Sequence, residues 1–229
     1  AAEQAFSAAL GLPAHLVDFD VSIFSGCNDL TTVDLISDEN SVYTSVDGVI
    51  FTDSGRTLYY FPVARDGVYT VPSGVTRIND RAFYRATRLE GIIIPGHVEE
   101  IGAEAFYGAT RLQNIDFQGG RNDPALTIGE YAFYGCNALN ALELPANLKV
   151  LEDYAFGGIS RLTAVTINTA IKEIDYSNQA FTSTSGTVSI TTVELGPEVP
   201  EFDIAGVFGS ANLRDVIVDE NSPNFESID

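Results

Sequence analysis

Apolar residues recur along most of this chain in a fixed phrase, in which Ala-Phe is followed by leucine six residues after the phenylalanine. Partial copies of the phrase occur around Phe24, Phe181 and Phe208. Complete copies are centred on Phe83, Phe106, Phe133 and Phe156. From the first complete copy onward, successive phenylalanines lie 23 to 27 residues apart. A regular period of this length predicts a solenoid in which each repeat is one structural unit.

The apolar positions of each unit are fixed relative to its phenylalanine. Isoleucine or leucine stands five residues before it, and two apolar residues stand nine and eleven residues after it, as Ile92 and Ile94 do after Phe83. This spacing of two predicts a strand with both side chains on one face, and a proline such as Pro95 often ends it. No unit can bury this face alone, so neighbouring units must stack. We predict a right-handed α/β leucine-rich-repeat solenoid, β-rich, with short helical or 3₁₀ turns that carry the phenylalanines.

The segment LEGIIIPGHVEEIGAEAFYGATRLQNI, residues 89–115, closely resembles the BspA-like (Treponema-type) leucine-rich repeats of bacterial surface proteins. Units of that family read roughly LxxIxIPxxVxxIGxxAFxxCxxL, and the resemblance covers about residues 12–229. The pattern is interrupted at residues 118–126, which replace the usual proline turn, and at residues 182–191, which lengthen their unit. The resemblance implies a secreted or surface-displayed binding protein of a kind often discussed in adhesion, and it does not imply an enzyme.

Residues 37–62 predict a β-hairpin insertion between the first two copies of the phrase. Two β-rich runs, residues 49–51 and 58–61, flank residues 53–56, where a glycine supplies the positive φ of a tight turn. Asp47 and Gly48 mark a second turn, so a third strand can precede it. Two interpretations stay open: a stabilising elaboration of the scaffold, or a flap that contacts a ligand.

Both ends of the chain carry signals of their own. Residues 1–11 are rich in alanine and are followed by Pro13, which predicts an N-terminal helical cap for the solenoid. Residues 219–229 repeat the lead-in to the hairpin insertion. They predict the start of a truncated second insertion, so we expect the native chain to continue past Asp229. The whole of residues 1–229 is predicted to form one domain.

A net charge of −20 and a sequence pI near 4.2 narrow the range of partners. This charge argues against nucleic acid and anionic membranes, and it favours a monomer. No apolar run reaches the roughly 18 residues of a membrane span, so no membrane insertion is predicted. Cys27 and Cys136 occupy equivalent positions three units apart, about 14 Å by strand spacing, which is beyond disulfide reach. They are predicted to be buried, free thiols.

The chain carries no recognisable catalytic motif, and we predict that it is not an enzyme. His15 and His97 both follow a strand-ending proline, and neither has a second ligand at a metal-binding spacing. No cofactor is predicted. The side chains of three acidic segments, Asp-Phe-Asp at residues 18–20 and Asp-Glu-Asn at residues 38–40 and 219–221, are either solvated loop groups or calcium ligands, and they lack the spacing of an EF-hand.

Two surface columns are candidate binding sites. Residues eight and ten positions after each phenylalanine face away from the core on the concave strand face, which is the usual ligand surface of such solenoids. They form an acidic column that favours a basic or polar partner, although a merely solvated sheet face is the alternative. The candidate ligand-binding residues are Asp34, Asn114, Asp116, Glu143, Thr166, Glu194 and Asp215.

The second column consists of tyrosines that directly follow the phenylalanine in three consecutive units, namely Tyr84, Tyr107 and Tyr134. They predict either a structural ladder or an aromatic binding strip. Together these observations predict a non-catalytic, adhesin-like module, extracellular or on a bacterial cell surface, that recognises a host or matrix protein through the acidic concave face. The alternatives are a structural spacer or stalk of a larger surface protein, and a carbohydrate-binding accessory module, against which the absence of tryptophan counts.

Overall fold

The computed structural model describes residues 8–13, 19–24, 26–36, 42–168, 175–176, 179–182, 189–197, 199, 207–208 and 212–224, with only the backbone of residues 8–13, 36 and 175–176. Seventeen strands lie within these ranges. They are β1 (Ala8–Pro13), β2 (Leu30–Ile36), β3 (Thr44–Val46), β4 (Val49–Thr52), β5 (Thr57–Tyr60), β6 (Gly67–Thr70), β7 (Arg77–Ile78), β8 (Leu89–Ile94), β9 (Glu100–Ile101), β10 (Asn114–Phe117), β11 (Leu126–Ile128), β12 (Ala141–Leu144), β13 (Leu148–Leu151), β14 (Ala164–Ile167), β15 (Asp175–Tyr176), β16 (Thr192–Leu195) and β17 (Asp215–Val218).

The chain winds into a β-solenoid of about six turns with almost no helix. Each turn contributes one strand to the face that the sequence predicts to be concave, called the concave face below, and one to a return face. The concave strands form two parallel sheets, β6–β8–β10 and β12–β14–β16–β17. The return strands form one eight-stranded sheet from β15 to β3, and β1 pairs with β2 separately. No helix of the described residues is long and apolar enough to cross a membrane.

The concave strands alternate as the two-residue spacing predicts. In β12, Leu142 and Leu144 are buried while Ala141 and Glu143 are exposed. The return strands β7, β9, β11 and β13 place an aliphatic side chain into the same core at the equivalent position, and these residues, all at most 1% exposed, are Ile78, Ile101, Ile128 and Leu151. These side chains join a continuous core that runs from β4 to Phe208, so burial is shared between units rather than completed within one.

A column of phenylalanine rings fills the turn side of the core. Seven rings, Phe61, Phe83, Phe106, Phe133, Phe156, Phe181 and Phe208, follow one another with centroids 4.5 to 5.7 Å apart. Phe106 is fully buried between Phe83 at 4.5 Å and Phe133 at 4.7 Å. The predicted stacking of neighbouring units is therefore confirmed at this ring.

The predicted helical turns around the phenylalanines are wrong for the four complete units, which form hydrogen-bonded turns instead. A residue with positive φ stands two positions before the phenylalanine, and another stands two positions after it, as Arg81 (φ 58°) and Arg85 (φ 56°) do around Phe83. Residues in the left-handed backbone conformation that are only four positions apart interrupt any α-helix. The freed N–H groups bond to the next unit, so that Phe83 donates to the Ala105 carbonyl at 2.7 Å. The turns thus form a third ladder beside the two strand columns.

Strands β3, β4 and β5 pair antiparallel in the region where the sequence predicts the insertion. The turn between β4 and β5 holds Asp53, Ser54 and Gly55 at positive φ, and Asp47 and Gly48 form the turn before β4. The predicted boundary at residue 62 needs correction, because β5 also pairs in parallel with β7 and Phe61 heads the phenylalanine column. Residues 57–62 therefore belong to a solenoid unit that the sequence pattern does not reveal.

Two further predictions are wrong. Residues 8–11, assigned to the helical cap, lie in β1, because pairing with β2 satisfies the backbone of that strand and overrides the helix propensity of alanine. Residues 1–7 lie outside the described residues. Cys27 is exposed, and the turn before it differs from those of the complete units because Val21–Phe24 form a 3₁₀ helix. Cys136 is buried as predicted, and both thiols are free.

Candidate functional site

The concave face is interrupted between β10 and β12, which do not pair although their units are consecutive. The extra residues 118–126 of this unit follow β10 directly. Pro145, directly after β12, has no N–H to offer the neighbouring strand. The next amide, that of Ala146, donates to the Gly119 carbonyl within the extra segment at 3.2 Å. The return strands β9, β11 and β13 stay paired, with one register shift between Leu126 and Thr127 in the β11–β13 pair, so the added chain leaves the return sheet continuous.

A groove of about 470 Å³ lies at this interruption and is lined by β10, β12 and β14 together with the turns that follow them. It brings together four of the seven candidate residues from the concave column, Asn114, Asp116, Glu143 and Thr166. The structure therefore brings together, on one surface, side chains that span 52 sequence positions from Asn114 to Thr166. Their alternation with buried leucine and isoleucine fixes them on the outer side of the sheet.

The remaining candidates lie outside the groove. Glu194 in β16 is next to it, because its carboxylate accepts a hydrogen bond from the Thr166 hydroxyl at 3.3 Å. Asp215 lies in β17, two strands further along from β14, and is opposite Thr192 of β16. Asp34 lies in β2, which belongs to the separate two-stranded sheet. The seven residues are thus not one site: four line a groove, one borders it, and two are distant on the concave face.

Three carboxylates in and beside the groove bind only neutral hydrogen-bond donors within the described part of the chain. Asp116 accepts from the Gln118 amide at 3.3 Å, and Glu143 accepts from the Asn168 amide at 2.8 Å, while Glu194 accepts from Thr166. None of the three takes part in the ion pairs that join arginine to acidic residues elsewhere among these residues. Among the described residues, the groove consequently presents carboxylates that form no ion pair.

Asn147, in the turn after β12, holds the extra segment in place, and this role is not apparent from the sequence pattern. The side chain is 2% exposed, and its amide donates to the Gly96 carbonyl at 3.1 Å and to the Pro124 carbonyl at 2.8 Å. These two bonds tie the extra segment to the turns on either side of it. The signal that points to this role is a polar residue whose neighbours on both sides are apolar, two positions after the proline that follows β12.

The predicted tyrosine column is a stacked ladder. Tyr107 lies between Tyr84 and Tyr134 with ring centroids at 5.3 Å on each side. A second stacked pair, Tyr131 and Tyr154 at 4.9 Å, lies beside it, with Tyr131 edge-on to Tyr134. Burial, together with neighbouring tyrosines and acids, raises the pKa of Tyr131.

Both ends of the ladder are also in contact with other groups. The ring of Tyr134 packs over Gly157 and Gly158, where a Cβ atom at Gly158 would lie 2.7 Å from the ring. The guanidinium groups of Arg81 and Arg85 lie over the Tyr84 ring, 5.9 and 5.5 Å from its centre. Because Tyr107 is flanked by a ring on each side, its faces are not open for stacking against a sugar.

No group of three or more histidine, cysteine, aspartate or glutamate side chains in the described ranges is arranged to hold a metal ion. Two of the acidic loops bind their own turns. The Asp20 carboxylate accepts from the Ser22 amide at 2.7 Å, and hydrogen bonds from the side chain and backbone of Ser22 lower the pKa of Asp20. Asp219 likewise accepts from the Asn221 amide at 2.8 Å. The other acidic positions of the calcium alternative, residue 18 and residues 38–40, lie outside the described residues, as does His15.

A stack of parallel β units that share leucine and phenylalanine positions places the protein in the leucine-rich-repeat class. Residues 68–187 and 122–227 match the BspA type leucine rich repeat region, with six copies. The chain belongs to the BspA-type leucine-rich repeat family. No curated protein matches the chain significantly.

Two solved structures of related shape support the fold. The crystal structure of the pneumococcal vaccine antigen PcpA is 23% identical, with a TM-score of 0.71, over 93% of this chain and 56% of that one. A leucine rich cell surface protein from Faecalibacterium prausnitzii A2-165 is 24% identical, with a TM-score of 0.63, over 96% of this chain and 51% of that one. The chain therefore spans about half the length of these neighbours, and the likeness at this identity concerns the fold.

Proposed function

We propose that this protein is a non-catalytic binding module, extracellular or on a bacterial cell surface, that recognises a basic segment of a protein ligand in the concave groove. One observation carries the proposal. The groove brings together Asn114, Asp116, Glu143 and Thr166, and no arginine or lysine of the described residues forms an ion pair with its two carboxylates. A host or matrix protein with an exposed lysine- or arginine-rich loop has the chemistry that fits. Membership of the BspA-type family supports the surface location.

Electrostatic complementarity is the expected source of selectivity. Two unit charges about 4 Å apart attract by roughly 1 kcal/mol in water and roughly 4 kcal/mol near a protein surface. Three carboxylates can therefore discriminate strongly between a basic segment and a neutral one. The net charge of −20 adds long-range steering of a cationic partner and opposes association between copies of the chain, in keeping with a monomer.

Two structural features enter the proposal. The parallel crossovers between strands are right-handed in nearly all proteins, which supports a right-handed superhelix here. The antiparallel strands β3 to β5 support the hypothesis that an insertion follows the first unit. Because β5 is shared with the return sheet, we assign this segment a stabilising role rather than that of a ligand-contacting flap.

The proposal is tested by binding of a fluorescein-labelled octalysine peptide, measured by anisotropy at increasing salt. A combined Asp116→Asn and Glu143→Gln variant should bind about tenfold more weakly or worse, and its unfolding midpoint should not change. The matched control is Glu99→Gln with Asp153→Asn, which removes the same charge from exposed positions on the return and turn faces.

Equal loss of affinity in both double variants would mean that only the total charge matters, and the groove would then not be the site. The spacer function would be favoured in that case, since the continuous core from β4 to Phe208 gives a rigid rod without any ligand. A carbohydrate-binding accessory role has less support, because the stacked tyrosines have their faces engaged by one another.

A further inference from the structure

A second cavity lies on the turn side, at the end of the tyrosine ladder nearest the N-terminus. The ladder begins at Tyr84, because the preceding unit has Pro62 rather than tyrosine after Phe61. The cavity measures about 280 Å³, and Val21, Phe24, Tyr60, Val63 and Tyr84 line it with apolar and aromatic surface.

The aromatic walls of this cavity are held rigidly. Phe24 and Tyr60 stack with their ring centres 4.1 Å apart, and both residues are at most 4% exposed. Tyr84 is held from the other side by Tyr107, at 5.3 Å. A preformed apolar cavity of this size suits a ligand with a single aromatic ring, since drug-sized ligands occupy pockets of about 300 Å³ or more.

Two arginines line the cavity, and they differ in whether a carboxylate neutralises their charge. Arg81 forms a double hydrogen bond with the Glu104 carboxylate, with both distances at 3.0 Å, which raises the pKa of the guanidinium. Arg85 lies over the Tyr84 ring and forms no ion pair within the described ranges. In a chain of net charge −20, this is a local positive group with capacity for an anion.

Tyr60 provides an independent indication of a ligand. Its hydroxyl is buried and has no hydrogen-bond partner among the described residues. Burial raises the pKa of this hydroxyl, and the Val63 backbone offsets part of that rise without reaching hydrogen-bonding geometry. A buried donor without an acceptor costs about 1–3 kcal/mol of stability, so such groups are rare unless a ligand or water completes them.

We infer that this cavity is a binding site for an aromatic carboxylate, with the ring between Phe24 and Tyr84, the carboxylate at Arg85, and the Tyr60 hydroxyl as a second donor. The shared chemistry is an aromatic ring close to a carboxylate, from either a free arylacetic acid or a peptide that ends in an aromatic residue. Nothing in the proposed concave function depends on this site, because the residues that line the two cavities are entirely different.

The experiment uses fluorine NMR of the protein with four probes. They are 4-fluorophenylacetate, its neutral analogue 2-(4-fluorophenyl)ethanol, its cationic analogue 4-fluorobenzylamine, and N-acetyl-4-fluorophenylalanine as the mimic of a peptide end. We expect saturable binding of the acid at about 1 mM or tighter, weaker binding of the alcohol and none of the amine. If N-acetyl-4-fluorophenylalanine binds and 4-fluorophenylacetate binds less well, the source is a peptide end, and the reverse order indicates a free acid.

Two variants connect the signal to the cavity. Arg85→Gln should weaken binding of 4-fluorophenylacetate about tenfold, and Tyr60→Phe should weaken it about fivefold while leaving the fold as stable or more stable. Arg161→Gln is the matched control, since it removes one positive charge from an exposed site elsewhere. Tighter binding of the amine than of the acid, no saturable shift with any probe, or unchanged affinity in Arg85→Gln would each overturn the inference.

Discussion

Replacement of Phe106 by alanine tests the stacked core most directly. The ring is fully buried and lies between two parallel neighbours, at 4.5 Å and 14° to Phe83 and at 4.7 Å and 5° to Phe133. Burial of a phenylalanine side chain contributes about 1.5–3 kcal/mol, and a residual cavity adds to the loss when the ring is removed. The two flanking rings are fixed by their own units and cannot close the gap, so Phe106→Ala should cost about 3–5 kcal/mol.

The assay is urea unfolding of wild type and variant, followed by circular dichroism and tyrosine fluorescence, with the free energy taken by linear extrapolation. Tyr107→Ala is the matched control, because it removes the adjacent ring from the same turn at a half-buried position. We expect that control to cost well under half as much. A loss below about 1 kcal/mol for Phe106→Ala, or equal losses for the two variants, would contradict the assigned order of the phenylalanine column.

Two further predictions concern titratable groups. Cys27 should react with a thiol reagent in the native protein, whereas Cys136, whose pKa is raised by burial to about 12, should react only after denaturation, so that intact mass shows one label before urea and two after it. Burial also raises the pKa of Tyr69 from 10.0 to about 12, so the unfolded state loses this proton first and stability should fall as the pH rises from about 10 to 12. Tyr69→Phe should make that decline shallower in urea unfolding at each pH, and an unchanged slope would exclude this tyrosine as its source.

The strands and the core could be predicted because burial imposes the period of two on every unit. Leu142 and Leu144 point inwards for the same reason as Ile92 and Ile94, and one unit is enough to recognise the next. The rings of the phenylalanine column follow from the same repetition. The family resemblance rests on these positions, which explains why it identifies the architecture and leaves the ligand open.

The turns could not be predicted in the same way. Local propensity favours a short helix around Ala-Phe, but the positive φ values at Arg81 and Arg85 arise from hydrogen bonds to the following unit. Those bonds connect residues more than twenty positions apart, so no local pattern reports them. The unit at residues 57–62 is not apparent from the sequence because Phe61 follows Leu58, the β5 residue opposite Ile78, by three residues rather than the five of the repeat, and because β5 also takes part in an antiparallel pair.

The position of the groove shows what converts an irregular repeat into a candidate site. The steps from Phe156 to Phe181 and from Phe181 to Phe208 are also longer than 23 residues, yet β14, β16 and β17 remain paired. Extra length alone therefore does not open the concave sheet. Between β10 and β12, the added residues follow the concave strand directly, and the next strand is followed by Pro145, which cannot donate a hydrogen bond. Two ladders on the other faces stay continuous there, so the concave strands separate and the polar residues between them become a groove.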